Sequence, residues 1–169
     1  MEIRPARPED AAAVAEVHVR TWQAAYEHVF GAELLAAIDD PERRARWERW
    51  LAAGERVWVA EPEGRVVGFA WIGDSRDVPP ADEGELFAIY VLPEAWGSGA
   101  GAGLMGAALP ALRERYPTSI LWVLEDNPRA RRFYEREGWC LDGGRKEDTF
   151  LGVEVTEVRY RIGSAGPGR

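Results

Sequence analysis

Apolar and polar positions along this chain change period several times, and each change marks an element. Glu2 to Ala6 alternates as a short first strand. Val14, Val17, Thr21 and Ala24/Ala25 then recur at helical spacing, which predicts a helix from Ala11 to about Ala25 with Asp10 as its N-cap. Trp22, Tyr26 and Phe30 continue at intervals of four, Gly31 breaks the run, and Ala32 to Ile38 reads as one further helical turn. Asp40-Pro41 is a cap followed by proline at the first helical position, opening a helix that sets Trp47, Trp50 and Leu51 on one face and arginines on the other, closed by Gly54. Arg56 to Glu61 and Arg65 to Ile72 read as two strands joined by the Pro62-Glu63-Gly64 turn.

A polar loop from Gly73 to Gly84 carries Asp74, Asp77, Asp82 and Glu83. Glu85 to Val91, dense in aromatic and β-branched residues, predicts a strand that Pro93 ends. Leu104 to Arg115 has helical spacing, with a kink expected at Pro110. Ser119 to Leu124 is apolar enough for a central strand. Asn127-Pro128 starts a helix that Gly138 ends. Strands around Trp139 to Asp142 and Val153 to Arg161 flank a Gly143-Gly144 turn, and Ser164 to Arg169 has the composition of a frayed tail. The order β-α-α-β-β-β-α-β-α-β-β predicts an α/β (α+β) domain on a central sheet over residues 1–163, with no internal repeat or dividing linker.

Composition narrows the classes. A chain of 169 residues with 46% apolar content supports one domain with a sizeable core. It holds no apolar run long enough to span a membrane, and Met1 to Pro5 is not an apolar leader core. Cys140 is the single cysteine, which excludes an intrachain disulfide and argues against a zinc-thiolate site. These features predict a cytoplasmic protein without a membrane partner. The formal net charge of −8 argues against nucleic-acid binding and suits a cationic substrate. His18 and His28 do not stand at a metal-ligand spacing, so no metal is expected.

The candidate chemistry centres on the strand that ends at Val91 and the glycines at 97, 99, 101 and 103. A strand feeding a glycine loop and then a helix aims backbone N–H groups at one point, backed by the positive end of the helix dipole, which is a socket for a phosphate or pyrophosphate. A P-loop would need Gly-Lys-Ser/Thr at its end, but Leu104 follows Gly103. A dinucleotide-binding loop is a rival: Gly101-Ala-Gly103-Leu-Met-Gly106 is a literal G-x-G-x-x-G, with Glu125 and Asp126 about 20 residues on. Against it, ten positions separate Val91 from Gly101, and too little chain follows Glu125 for the remaining βαβ units.

Pro93-Glu-Ala-Trp96-Gly-Ser-Gly99-Ala-Gly101 resembles the acetyl-CoA pyrophosphate loop of the GNAT superfamily of N-acetyltransferases, a Gln/Arg-x-x-Gly-x-Gly/Ala pattern, with Trp96 standing where Gln or Arg is usual. Leu121-Trp-Val-Leu-Glu-Asp-Asn127-Pro-Arg-Ala-Arg-Arg-Phe-Tyr134-Glu-Arg-Glu-Gly138-Trp is similar to the family's later segment, and Ile3 to Asp10 to its opening. The resemblance implies a mixed, mostly antiparallel sheet of about seven strands with helices on both faces, the fourth and fifth strands parallel and splayed. It implies acetyl-CoA as the acetyl-donor substrate and transfer to a primary amine of a small molecule or peptide, by direct attack in a ternary complex. A homodimer stays an open option.

By the same resemblance, Gly97, Ser98, Gly99, Ala100, Gly101 and Ala102 hold the pyrophosphate. Ile89, Tyr90 and Val91 pair through backbone groups with the pantetheine arm, and a backbone N–H near Val91 is the oxyanion donor. Asn127 contacts the arm and Tyr134 faces the thioester sulfur. Seven residues apart on a helix, these two share a face, about 10 Å apart along the axis, with Arg131 between them to meet a phosphate. The base is the harder assignment: alignment from Asn127 puts Trp122 where some relatives carry a Glu, while Glu85 stands where others carry the base. Trp22, Tyr26 and Phe30 are either core or wall of the acceptor site. The acidic run at 74–83 is either a solvated loop or a mouth that draws in a protonated amine. A domain that binds acyl-CoA without transferring it is the alternative of a different class.

Overall fold

Glycine and proline set most of the boundaries the chain adopts, and burial moves the rest. The computed structural model describes residues 1–37, 41–77 and 82–163. The predicted boundaries at Ile38 and Asp40, the middle of the acidic loop and the Ser164–Arg169 tail lie outside them. In chain order the elements are β1 (Glu2–Pro5), α1 (Ala11–Phe30), α2 (Ala32–Ala36), α3 (Pro41–Ala52), β2 (Arg56–Glu61), β3 (Gly68–Asp74), β4 (Gly84–Val91), α4 (Ala100–Arg113), β5 (Thr118–Leu124), α5 (Pro128–Arg136), β6 (Cys140–Phe150) and β7 (Val153–Gly163). The seven strands form one mixed sheet in the order β1-β2-β3-β4-β5-β7-β6. No described helix is long and apolar enough to cross a membrane. The chain divides into two compact units, Met1–Ile72 with Ala88–Ala108, and Gly73–Phe87 with Leu109–Arg169.

In the first unit β1, β2 and β3 pair antiparallel, with Ile3 opposite Ala60 and Val59 opposite Phe69. Val14 and Val17 of α1, Trp47 and Leu51 of α3, Val59 and Phe69 of the sheet, and Leu104 and Met105 of α4 are buried. Trp47 is fully buried and meets Phe69, Trp71 and Trp50 edge-on at 5.1, 5.2 and 5.2 Å between ring centres. α1 runs five residues beyond the predicted Ala25, because Trp22, Tyr26 and Phe30 stack along one face and bury Tyr26 and Phe30. Gly31 then ends it at φ +76°, its N–H on the Glu27 carbonyl at 2.8 Å. Asp10 makes no side-chain cap. Its carboxylate instead accepts two bonds from Arg4, at 2.7 and 2.9 Å, and one from the Arg7 N–H at 2.7 Å. Arg4, and to a lesser degree Arg7, hold this carboxyl below its usual range. The second strand of the predicted hairpin starts at Gly68 rather than Arg65, since Glu63 and Gly64 both take positive φ and lengthen the turn.

In the second unit β5 pairs along its whole length with β7, from Thr118 opposite Gly163 to Leu124 opposite Glu157. β4 joins β5 in parallel at Gly84–Ser119 and Glu85–Ile120. Gly84 has no room for a side chain there: a Cβ would stand 2.5 Å from Tyr116 and 2.6 Å from Leu112. Gly143-Gly144 is not the predicted turn. It is a bulge within an eleven-residue β6, between Leu141 and Arg145, and the reversal falls at Leu151-Gly152, both at positive φ.

Candidate functional site

The first unit carries the strand end and the glycine turn. Leu92 donates its N–H to the Val67 carbonyl at 2.8 Å, on the β3 side. Strand backbone groups alternate in direction, so those of Val91 and Ile89 face the other edge of β4. Pro93 then opens a tight turn closed by Ala95 N–H on Leu92 O at 2.9 Å and Trp96 N–H on Pro93 O at 3.1 Å. Within it Glu94 accepts two bonds from Arg20, at 3.0 and 3.1 Å, and one from Arg65 at 3.2 Å. Its own backbone N–H, and then Arg20, hold the Glu94 carboxyl below its usual range. The Trp96 indole N–H returns to the Val91 carbonyl at 2.8 Å.

α4 begins at Ala100, four residues before the predicted start. Ala100, Leu104, Met105 and Ala108 are buried, and that face outweighs the poor helix propensity of Gly101 and Gly103. Of the expected pyrophosphate loop, Gly97 to Gly99 is therefore loop and Ala100 to Ala102 is first helical turn. Gly103 N–H on Gly99 O, at 2.9 Å, is the first bond of the helix. The N–H groups of Gly99, Ala100, Gly101 and Ala102 thus precede any intrahelical acceptor, and only Ala100 meets the Ser98 hydroxyl, at 3.4 Å. Gly97 and Gly99 sit at φ +79° and +89°, and a Cβ at either would meet nothing within 4 Å. Donors at a helix start, its dipole and the open space at the glycines fit a pyrophosphate. The rival dinucleotide reading fails on the same geometry: Gly101, Gly103 and Gly106 all lie inside α4, so none makes the tight turn that fingerprint requires.

The second unit carries the remaining candidates. Asn127 caps α5, its side-chain oxygen accepting from Ala130 N–H at 3.1 Å. Arg131 donates to the Tyr160 hydroxyl at 3.1 Å and to the Glu125 carbonyl at 3.2 Å, and Tyr160 in turn donates to Glu135 at 2.8 Å. Tyr134 is buried, its ring beside Phe133 and Tyr160 at 5.6 and 6.3 Å. Glu85 is 2% exposed, and Arg76 engages both carboxylate oxygens, through its backbone N–H at 2.8 Å and its guanidinium at 2.7 Å.

Part of the acidic run is tied down. Asp74 accepts from the Tyr116 hydroxyl; Asp77 accepts from the Trp122 indole at 2.7 Å and from Arg159 at 2.8 Å; Glu83 accepts from Thr118 at 3.0 Å and from Arg161. Asp77 and Glu83 are therefore not freely solvated, whereas the Asp74 side chain stays 77% exposed. Trp122 lies under Lys146, 4.3 Å from its ring centre. Arg76 and Arg159 escaped the sequence reading because their partners are 9 and 82 residues away, with no local pattern to mark them.

His18 sits among Trp22, Trp47, Phe69 and Tyr90, its ring centre 5.4 Å from that of Tyr90. Burial, aided by Arg43 and Arg46, pushes its pKa down to about 3, so it is neutral at physiological pH. Among the described residues no group of three or more His, Cys, Asp or Glu is placed to hold a metal ion.

Comparison with known proteins places this geometry. The profile of the acetyltransferase (GNAT) family matches residues 14–139. The chain is 34% identical over 128 residues to the uncharacterized N-acetyltransferase YuaI of Bacillus subtilis, covering 75% of this chain and 73% of the relative. It is 34% identical over 141 residues to an uncharacterized N-acetyltransferase of Mycobacterium tuberculosis, covering 80% and 86%. Its fold is similar to the crystal structure of the PaiA N-acetyltransferase of Thermoplasma acidophilum in complex with coenzyme A, at a TM-score of 0.70 and 20% identity, covering 92% of this chain and 96% of that one.

Proposed function

Since this chain belongs to the acetyltransferase (GNAT) family, we propose that it moves the acetyl group of acetyl-CoA to a primary amine of a small molecule or peptide, by direct attack in a ternary complex. The observation that carries the reading is the turn at Gly97–Gly99, where a Cβ would meet nothing within 4 Å, leading into the first turn of α4, whose N–H groups precede any intrahelical acceptor. When bound, acetyl-CoA supplies an activated acyl group as its thioester.

The residues divide the labour. Gly97 to Ala102 grip the pyrophosphate. Along Ile89 to Val91, the backbone groups of Ile89 and Val91, which face the edge away from β3, pair with the amide-rich pantetheine arm as an added strand would. A backbone N–H near Val91 donates to the acyl oxygen as charge develops on it. Asn127 contacts the arm while it caps α5. Arg131 spends two contacts on Tyr160 and Glu125, and a guanidinium has five N–H donors, so others remain to meet a phosphate. Tyr134 gives its proton to the departing sulfur. Glu85 takes the amine's proton, through one water; each oxygen already accepting from Arg76 keeps a second lone pair.

The test is an amine panel (polyamines, amino acids, aminoglycosides, N-terminal peptides and lysine peptides) incubated with acetyl-CoA and read by thiol release. The expected result is amine-dependent release for one chemical class. Tight acetyl-CoA binding with no amine raising release above hydrolysis would make the protein an acyl-CoA-binding module instead.

A further inference from the structure

We propose that Trp96 is a positioning residue that locks the pyrophosphate turn to the end of β4, an inference that rests on the acetyl-CoA reading above. The residue is 37% exposed, yet its indole N–H is committed to the Val91 carbonyl at 2.8 Å. That bond reaches back five residues and closes a ring of chain from Val91, the last residue of β4, to Trp96. The Thr21 hydroxyl reaches the same carbonyl only at 3.4 Å, so the indole is the closer restraint.

The neighbouring chain explains why such a restraint matters. Residues before Trp96 are already fixed by two turn bonds and by Glu94 on Arg20 and Arg65. After it, Ser98 returns its N–H and its hydroxyl to the Ala95 carbonyl at 3.3 and 2.7 Å, bonds that stay within the turn and do not reach β4. Gly97 and Gly99 both take positive φ, with open space where a Cβ would stand. Ser98 ties the turn to Ala95, and the Trp96 side chain is the bond that ties the turn, and with it the two glycines, to the end of β4. A flexible turn would have to be ordered on binding, at a cost in affinity. Tryptophan holds the bond with only two side-chain torsions, where the Gln or Arg usual in the resembled pattern has more to immobilise. The strand backbone proposed to face the acyl group and the turn proposed to hold the pyrophosphate then keep one spacing.

Trp96→Phe keeps a ring and removes the donor. Its affinity is compared with wild type, by calorimetric and NMR titration, for two ligands: acetyl-CoA, and acetylpantetheine, which has the thioester arm but no pyrophosphate. The expected result is an acetyl-CoA Kd raised roughly fivefold, the net worth of one neutral hydrogen bond, with acetylpantetheine affinity unchanged. Unchanged affinity for acetyl-CoA overturns the inference. Equal loss for both ligands also overturns it, because Trp96 would then support the strand or the fold and not the turn. Gly99→Val, run alongside, separates the premise from the inference. If Gly99→Val weakens acetyl-CoA and Trp96→Phe does not, only the role of Trp96 falls. If neither does, the turn is not the pyrophosphate site and both fall.

Discussion

Tyr134 and Glu85 stand at opposite ends of the proposed proton traffic, and each is separable by one atom. Tyr134→Phe keeps the packing against Phe133 and Tyr160 and removes the hydroxyl. Turnover should fall about 100-fold or more with acetyl-CoA affinity nearly intact, as expected when a general acid is lost. Steady-state kinetics within a factor of two of wild type would reduce Tyr134 to packing. Glu85→Gln removes the acceptor of the amine's proton. An alkylammonium titrates near pH 10.4, about the lysine value, so the rate loss should shrink as pH rises and free amine appears. A kcat/KM profile from about pH 6 to 10 decides: parallel curves of equal height clear Glu85, and a uniform drop assigns it to substrate binding. His18 makes a prediction about stability instead. Its folded pKa of about 3 lies below the ordinary value of 6.5, so between these values the unfolded chain binds the proton and the native state does not. Its contribution is complete above pH 6.5 and is lost as pH falls towards 3. Urea unfolding of wild type should weaken by about 2 kcal/mol more than that of His18→Phe between roughly pH 7 and 5, a window in which ordinary carboxylates scarcely titrate. Equal losses in the two proteins would mean that the imidazole is hydrated.

At the scale of the element, α4 combines a ligand-facing start with a helix of poor formers. Gly101, Gly103, Gly106 and Pro110 all fall within Ala100–Arg113. The glycines are not alike. A Cβ at Gly103 would come within 3.0 Å of Ile3, whereas one at Gly106 would meet nothing within 4 Å and needs no unusual φ. Gly106→Ala should therefore stabilise the protein by about 1 kcal/mol, the helix-interior difference, and raise Tm by roughly 2–4 °C in thermal unfolding. No change, or a loss, would show that this stretch of helix is held by something other than its own propensity. The same element shows how far the sequence was legible. The strand before it and the glycines were plain, but the helix start was placed four residues late, because glycine reads as loop until the burial of Ala100 and Leu104 is known. Gly143-Gly144 misled in the same way: two glycines read as a reversal, and only the pairing of β6 with β7 shows a bulge.

For the whole molecule, acetyl-CoA binding to the native state alone should stabilise by about 2.7 kcal/mol at a hundred times Kd, a Tm rise of roughly 5–11 °C. Gly99→Val should lose most of that shift, since valine is strained at φ +89° and fills the open space over the turn. An unchanged shift would remove the turn from the ligand site. What the sequence determined by itself was local: the order of elements, the glycine turn after β4 and the Asn127-Pro128 helix start. Those follow from residue spacing, backbone preference and capping, which act within a few positions of the chain. Only the tertiary structure decided the roles of the charged side chains. The carboxylates of Asp10, Asp77, Glu83 and Glu85 show no partner in the sequence, and each is held directly by an arginine with a second donor beside it: the Arg7 N–H on Asp10, Trp122 on Asp77, Thr118 on Glu83 and the Arg76 N–H on Glu85. An ion pair depends on distance through space, and a chain of letters carries no distance between Asp77 and Arg159 until the strands between them have paired.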